Sequence, residues 1–336
     1  MIKQLLSPMA RAKSFVSRVE TAVSTSVGYG KMHQAMFKDF SERSLLLQGR
    51  ALAQASKNLK NIRNLGEVEF RVFSQWGEDG IIEWLVQQVL VPNNRFVEFG
   101  VENFSEANCR FLLQNRNWRG LVFDGSQANI SALRSERLFW MHDLTARAAF
   151  VSAENINALI QECGFSGPLG ILSIDIDGND YWVWKAIECV NPAIVICEYN
   201  PILGDVEPIA VPYRADFQRF EAHHSGLYFG ASIVALQRLA EQKGYAFVGT
   251  NSNGINAFFV RKDLAGAVVS SLSEIKAFPS RHRDSRNASG ELSFVGGVER
   301  LSLIAEMPIL NVETEQSVLL KDLPVPYSNG WLTGMQ

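Results

Sequence analysis

A chain of 336 residues, 47% hydrophobic and 20% charged, is long enough for a large globular core with appendages and too apolar to be disordered by composition. Its formal charge of -3 supplies no long-range attraction for polyanions, so nucleic acid is not an expected partner. Residues 1–65 read as a helical N-terminal extension without a strand. Met1 to Val19 carries Lys3, Arg11, Lys13 and Arg18 and no acid. That pattern suits either an amphipathic helix on an anionic membrane surface or a helix packed on a second subunit or on the main domain.

From Phe73 onward helices and strands are expected to alternate. Ile81, Ile82, Leu85 and Val89 share one face of a helix over 78–90, which the Pro and Asn of 92–94 stop. There follow a strand over 95–99, a helix over 106–114, a strand over 120–123, a helix over 128–136 and a strand over 138–141. A helix over 155–163, a strand over 170–174, a helix over 181–188 and a strand over 193–197 complete the alternation. Short apolar runs without polar interruption suit strands buried on both faces of a parallel sheet. Strict alternation of this kind specifies a doubly wound α/β sheet with right-handed crossovers.

The ending differs. After a helix over 232–243, strands over 245–250 and 255–261 are joined by the Asn/Gly-rich turn 251–254, which makes them an antiparallel hairpin. A mostly parallel sheet of seven strands closed by an antiparallel last strand is the Rossmann-like layout of class I methyltransferases. The expected domains are therefore 1–65, a methyltransferase domain at 66–265, and a C-terminal extension at 266–336 that packs on the domain or covers substrate.

Several segments carry a more specific likeness: Ser74-Gln-Trp-Gly-Glu-Asp-Gly-Ile81, Phe96-Val-Glu-Phe-Gly100, Trp118-Arg-Gly-Leu-Val-Phe-Asp-Gly125, Ser173-Ile-Asp-Ile-Asp-Gly-Asn-Asp-Tyr181 and Gly254-Ile-Asn-Ala-Phe-Phe-Val260. In this order they resemble the FkbM-type family of S-adenosylmethionine-dependent methyltransferases, over roughly Phe73 to Lys262. The resemblance implies O-methylation of a sugar hydroxyl in a glycan, polysaccharide or glycosylated small molecule. One departure is that Gly100 is followed by Val101-Glu-Asn-Phe-Ser105, where the family usually has further glycines.

The resemblance places Glu98, Gly100 and Glu102 at the amino-acid end of the cofactor, with Gln75 and Glu78 lining the same pocket. Glu78 or Asp79 could equally cap the helix that follows. Asp124, with Gly125 after it, ends the second strand where a carboxylate accepts from both ribose hydroxyls. Asp143, after the expected third strand, is a candidate for the adenine amino group, or else a cap or turn former.

Asp175, Asp177, Glu198 and Asn200 end adjacent strands over the methyl-transfer position. Oxygen donors there suit Mg2+ or Mn2+, as in catechol-type O-methyltransferases, and Asp175 also counts among the cofactor contacts. The metal-free alternative makes Asp177 or Glu198 a sugar ligand or general base. His223 and His224 lie in 201–230, a stretch without an expected element. A loop that long usually covers a cleft, and a histidine there is a candidate base.

Tyr181, Trp182 and Trp184 suit sugar stacking, with at least one in the core. The basic run Arg281, His282, Arg283 and Arg286 suits a phosphate of a nucleotide-linked or lipid-linked sugar, or open solvent. Cys109, Cys163, Cys189 and Cys197 show no close-spaced pair and read as reduced thiols. No apolar stretch approaches the roughly 20 residues of a membrane span and the N-terminus lacks a secretory core, so the expected location is the cytoplasm, with contact at the inner membrane surface left to the N-terminal helices. The rival function is a non-catalytic scaffold or interaction subunit in glycan assembly that keeps the fold.

Overall fold

The computed structural model describes residue 33 and residues 36–335, and the chain divides into two compact units between residues 48 and 49. The basic stretch Met1 to Val19 lies outside the described residues. In the first unit residues 36–48 are helical, with Phe37 and Phe40 exposed.

The strands of the second unit are, in chain order, β1 (Arg95–Phe99), β2 (Arg119–Asp124), β3 (Leu144–Ala148), β4 (Gly167–Ile174), β5 (Val190–Glu198), β6 (Ile209–Ala210), β7 (Tyr245–Thr250), β8 (Asn256–Arg261), β9 (Pro308–Asn311) and β10 (Ser317–Leu319). A seven-stranded sheet has the order β3-β2-β1-β4-β5-β8-β7. Strands β3 to β5 in that order run parallel, and β8 runs against both β5 and β7. This is the class I methyltransferase layout. Alternate side chains enter separate cores: Val97, Phe99, Leu172 and Val195 on one face, Phe96, Ile171, Ile194 and Phe258 on the other. Cover on both faces is why these runs are continuously apolar.

The third strand is not where the apolar run placed it. Residues 138–141 belong to a short helix, Arg137–Met141, with Trp140 73% exposed. Strand β3 follows it and pairs with β2 from Gly120↔Leu144 to Asp124↔Ala148. An edge strand needs little apolar surface, and β3 buries only Leu144 and Ala146.

Residues 201–230 are not structureless. They contain a 3-10 turn (Pro201–Leu203), β6 and the short helix Arg219–Ala222. Strand β6 joins β9 and β10 in a separate three-stranded sheet, and Leu203, Phe217 and Phe229 share a core with Ile304 and Ile309. The Trp331 indole donates to the Pro201 carbonyl and the Tyr327 hydroxyl to that of Ile202, fastening the C-terminal extension to this segment. Among the described residues no helix is long and apolar enough to cross a membrane.

Candidate active site

The carboxyl ends of β1, β2, β4 and β5 open into a cavity of about 420 Å³, where an open α/β sheet binds its ligands. Gln75, Glu98, Gly100, Glu102, Asp124, Gly125, Asp175, Asp177 and Glu198 all line it. Gly100 turns the chain at the end of β1 with φ +73°, and a Cβ there would stand 1.5 Å from the Asp175 carbonyl oxygen. No other residue fits that backbone.

Asp124 ties two loops together. Its Oδ2 accepts from the Glu102 amide at 2.8 Å, and its Oδ1 from the Ser126 amide at 2.8 Å and Asn129 Nδ2 at 3.0 Å. A carboxylate has about four lone-pair sites, so Oδ2 keeps one for a ligand. The Glu98 carboxylate accepts from the amides of Asn108 (2.7 Å) and Cys109 (3.1 Å), at the start of helix Arg110–Arg116.

Burial pushes the Glu98 carboxyl up to about 7, and those of Asp79 and Asp180 up to about 6, against the backbone amides that stabilise their charged forms. Each holds its proton more tightly folded than unfolded. Its contribution to stability is therefore full below the ordinary carboxylate value and is lost as pH rises through these values. The melting temperature should fall between about pH 5 and about pH 8 in scanning calorimetry. A level or rising profile across that window would overturn these protonation states.

Asp175 and Glu198 form a carboxyl pair at the ends of β4 and β5. Burial raises both well above the usual range; the Asp175 charge raises Glu198 further, whereas a side-chain hydrogen bond from Glu198 offsets part of the rise at Asp175. Two carboxyl oxygens in hydrogen-bond contact require a shared proton. Glu198 is 6% exposed, and its Oε2 has no partner.

The expected oxygen cage for Mg2+ or Mn2+ does not assemble. Asn200 is fully buried, donates to the carbonyls of Leu227 and Phe229, and accepts the Ile202 amide, so its polar atoms are committed to backbone. Asp177, with φ +56°, is held by Arg219 at 2.6 Å. Among the described residues no group of three His, Cys, Asp or Glu is placed to hold a metal ion. The residues present do not fit a metal. The cation among these acids is Arg219, whose guanidinium lies 3.9 Å from the centre of the Phe229 ring and also reaches Asp284 at 3.5 Å.

Other expected residues lie elsewhere. Asp143 precedes β3 rather than following it, so it sits at the edge of the sheet opposite the cavity, paired with Arg119 at 3.6 Å. Glu78 accepts from the amides of Trp76 and Gly77 and from Asn251 and Asn256, tying its helix to the β7–β8 turn. His223 and His224 stack on each other 4.3 Å apart, with His223 Nδ1 on Ser225, and neither lines the cavity. Tyr181 and Trp184 are core, and Trp182 donates to the Val211 carbonyl. Of the basic run, Arg281 and Arg286 donate to the carbonyls of Gly334 and Gly290.

Phe150 and Arg219, which line the cavity, carry no motif signal; their place follows only from the fold.

No family model matches the chain. No curated protein matches it either. Solved structures similar to it include the N-terminal domain of EvdMO1 with S-adenosylhomocysteine bound, at 12% identity and TM-score 0.38 over 63% of this chain and 94% of that one. Another is the O-methyltransferase from Bacillus cereus in complex with S-adenosylhomocysteine, at 15% identity and TM-score 0.34 over 64% and 89%. A third is an S-adenosylmethionine-dependent methyltransferase from Clostridium acetobutylicum, at 12% identity and TM-score 0.33 over 55% and 89%.

Proposed function

We propose that this chain is an S-adenosylmethionine-dependent O-methyltransferase whose acceptor presents a sugar hydroxyl. The observation that carries the reading is the Asp175–Glu198 carboxyl pair, on adjacent strand ends in the cavity wall, with one buried oxygen lacking a partner. The cradle at Gly100 and a volume of about 420 Å³, within the range of small-molecule sites, support a cofactor of this size. Gln75, Gly100 and Glu102 would hold its amino-acid end and Asp124 its ribose. The half-exposed ring of Phe150 supplies an apolar surface for the base.

When bound, the cofactor supplies an electrophilic methyl group, and the electrons of the broken carbon–sulfur bond leave on the sulfur. The Asp175–Glu198 pair, which carries one proton and one negative charge, takes the proton of the acceptor hydroxyl through Glu198 as the hydroxyl oxygen gains the carbon. The rigid strand ends hold Glu198 and Asp175 in place, so alignment costs little at the moment of reaction.

Calorimetric titration with S-adenosylhomocysteine tests the cofactor assignment. Binding is expected, and Asp124→Ala should weaken it by about 1–3 kcal/mol, the worth of hydrogen bonds to a charged group. Unchanged affinity in a variant that melts cooperatively would remove the ribose assignment.

A further inference from the structure

We infer that a second cavity, adjoining the first, is the acceptor subsite and receives a hydroxylated sugar ring; the inference rests on the function proposed above. This cavity has a volume of about 120 Å³, and Gln75, Glu198 and Arg219 line both cavities. Its remaining walls come from outside the sheet. Trp76 precedes helix Glu78–Gln88, and His282, Asp284 and Arg300 belong to the C-terminal extension.

Two residues on this wall carry a buried polar atom without a partner: Glu198, through the acceptor Oε2, and Trp76, through the donor Nε1. Each orphan is destabilising unless something meets it. The group that answers both must donate and accept. A fully ionised phosphate or a carboxylate offers no donor and an ammonium no acceptor, whereas a hydroxyl offers both.

The rest of the wall fits the body of a sugar. The rings of Trp76 and His282 lie 4.5 Å apart at 57°, an aromatic surface for the apolar face of a pyranose. Burial holds the His282 imidazole below its ordinary value, which favours its neutral form. Arg300 is 1% exposed and is fixed by the carbonyls of Ser280 and Gly297. With Arg219 and Asp284 it gives further hydroxyls fixed donors and an acceptor. The Glu198 carboxyl thus borders the cofactor cavity on one side and this cavity on the other, where a base for the acceptor hydroxyl has to stand.

The test is saturation-transfer NMR on the full chain with S-adenosylhomocysteine and, as probes, the methyl glycosides of glucose, galactose, mannose, fucose and rhamnose at millimolar concentration. Transfer to at least one glycoside is expected. Its binding should weaken about tenfold or more in Trp76→Ala and His282→Ala, as when hydrogen-bonding and stacking groups are removed. Trp76→Phe, which keeps a ring and removes only the indole donor, should weaken it less. Calorimetry on the same samples should give unaltered S-adenosylhomocysteine affinity. Glycoside binding that survives both alanine variants, or no transfer to any probe while S-adenosylhomocysteine is bound, overturns the subsite. Failure of S-adenosylhomocysteine to bind overturns the proposed function instead.

Discussion

A Glu198→Gln protein should bind S-adenosylhomocysteine as tightly as the parent chain and methylate its acceptor about 10²–10⁴ times more slowly, the usual worth of a positioned general base. The amide keeps the shape of the side chain and can donate to Asp175, so the buried partner is not stranded. It cannot take a proton. The loss should fall on kcat, because the proton moves only as the new bond forms. Single-turnover rates with a glycan acceptor, set beside calorimetric affinity for the cofactor product, separate the two effects. Parental turnover in the folded variant would sink the base assignment and return the search to Asp177.

Gly100→Ala should be the most damaging single methyl group in the cavity. The residue sits at φ +73°, costly for any side chain, and its Cβ would meet the Asp175 carbonyl at 1.5 Å. Relief requires β1 and β4 to part at the edge that carries both the cradle and the acid pair. We expect a large fall in melting temperature and more than about tenfold loss of S-adenosylhomocysteine affinity, well above the central effect of point substitutions. Gly125→Ala supplies the contrast. A Cβ there meets nothing closer than a Phe150 ring carbon at 3.7 Å, so the fold should be kept. Equal melting curves for the two variants would show that the close approach at Gly100 is not rigid.

The central strands were legible because burial on both faces leaves long apolar runs: β1 matches its expected span of 95–99, and β2, β4 and β5 exceed theirs by a few residues at the ends. The edge was not. The Leu-Thr-Ala-Arg-Ala of β3 has no such run, while the half-buried Leu138 and Phe139 just before it have one, and this displaced Asp143 to the wrong side of the sheet. Residues that end strands could be placed in the cavity from sequence, since strand direction decides which edge they reach. Trp76, Arg219, His282 and Arg300 could not, because they meet only through the packing of segments far apart in the chain. His223 and His224 misled for the complementary reason: a long stretch without an expected element made them candidates for a cleft cover, while the structure stacks them on each other and neither lines the cavity.

The proposed division of labour between the two cavities has a consequence for how such a protein can change. The cradle and the carboxyl pair are borne by strands whose backbones are locked in the sheet, whereas His282, Asp284 and Arg300 hang on a stretch that contributes no strand to it. Substitutions within 280–300 can redraw the shape of the second cavity without touching a ladder hydrogen bond or the turn at Gly100. On the proposed function, acceptor choice can then be altered by substitution there while the strand ends assigned to the reaction stay as they are.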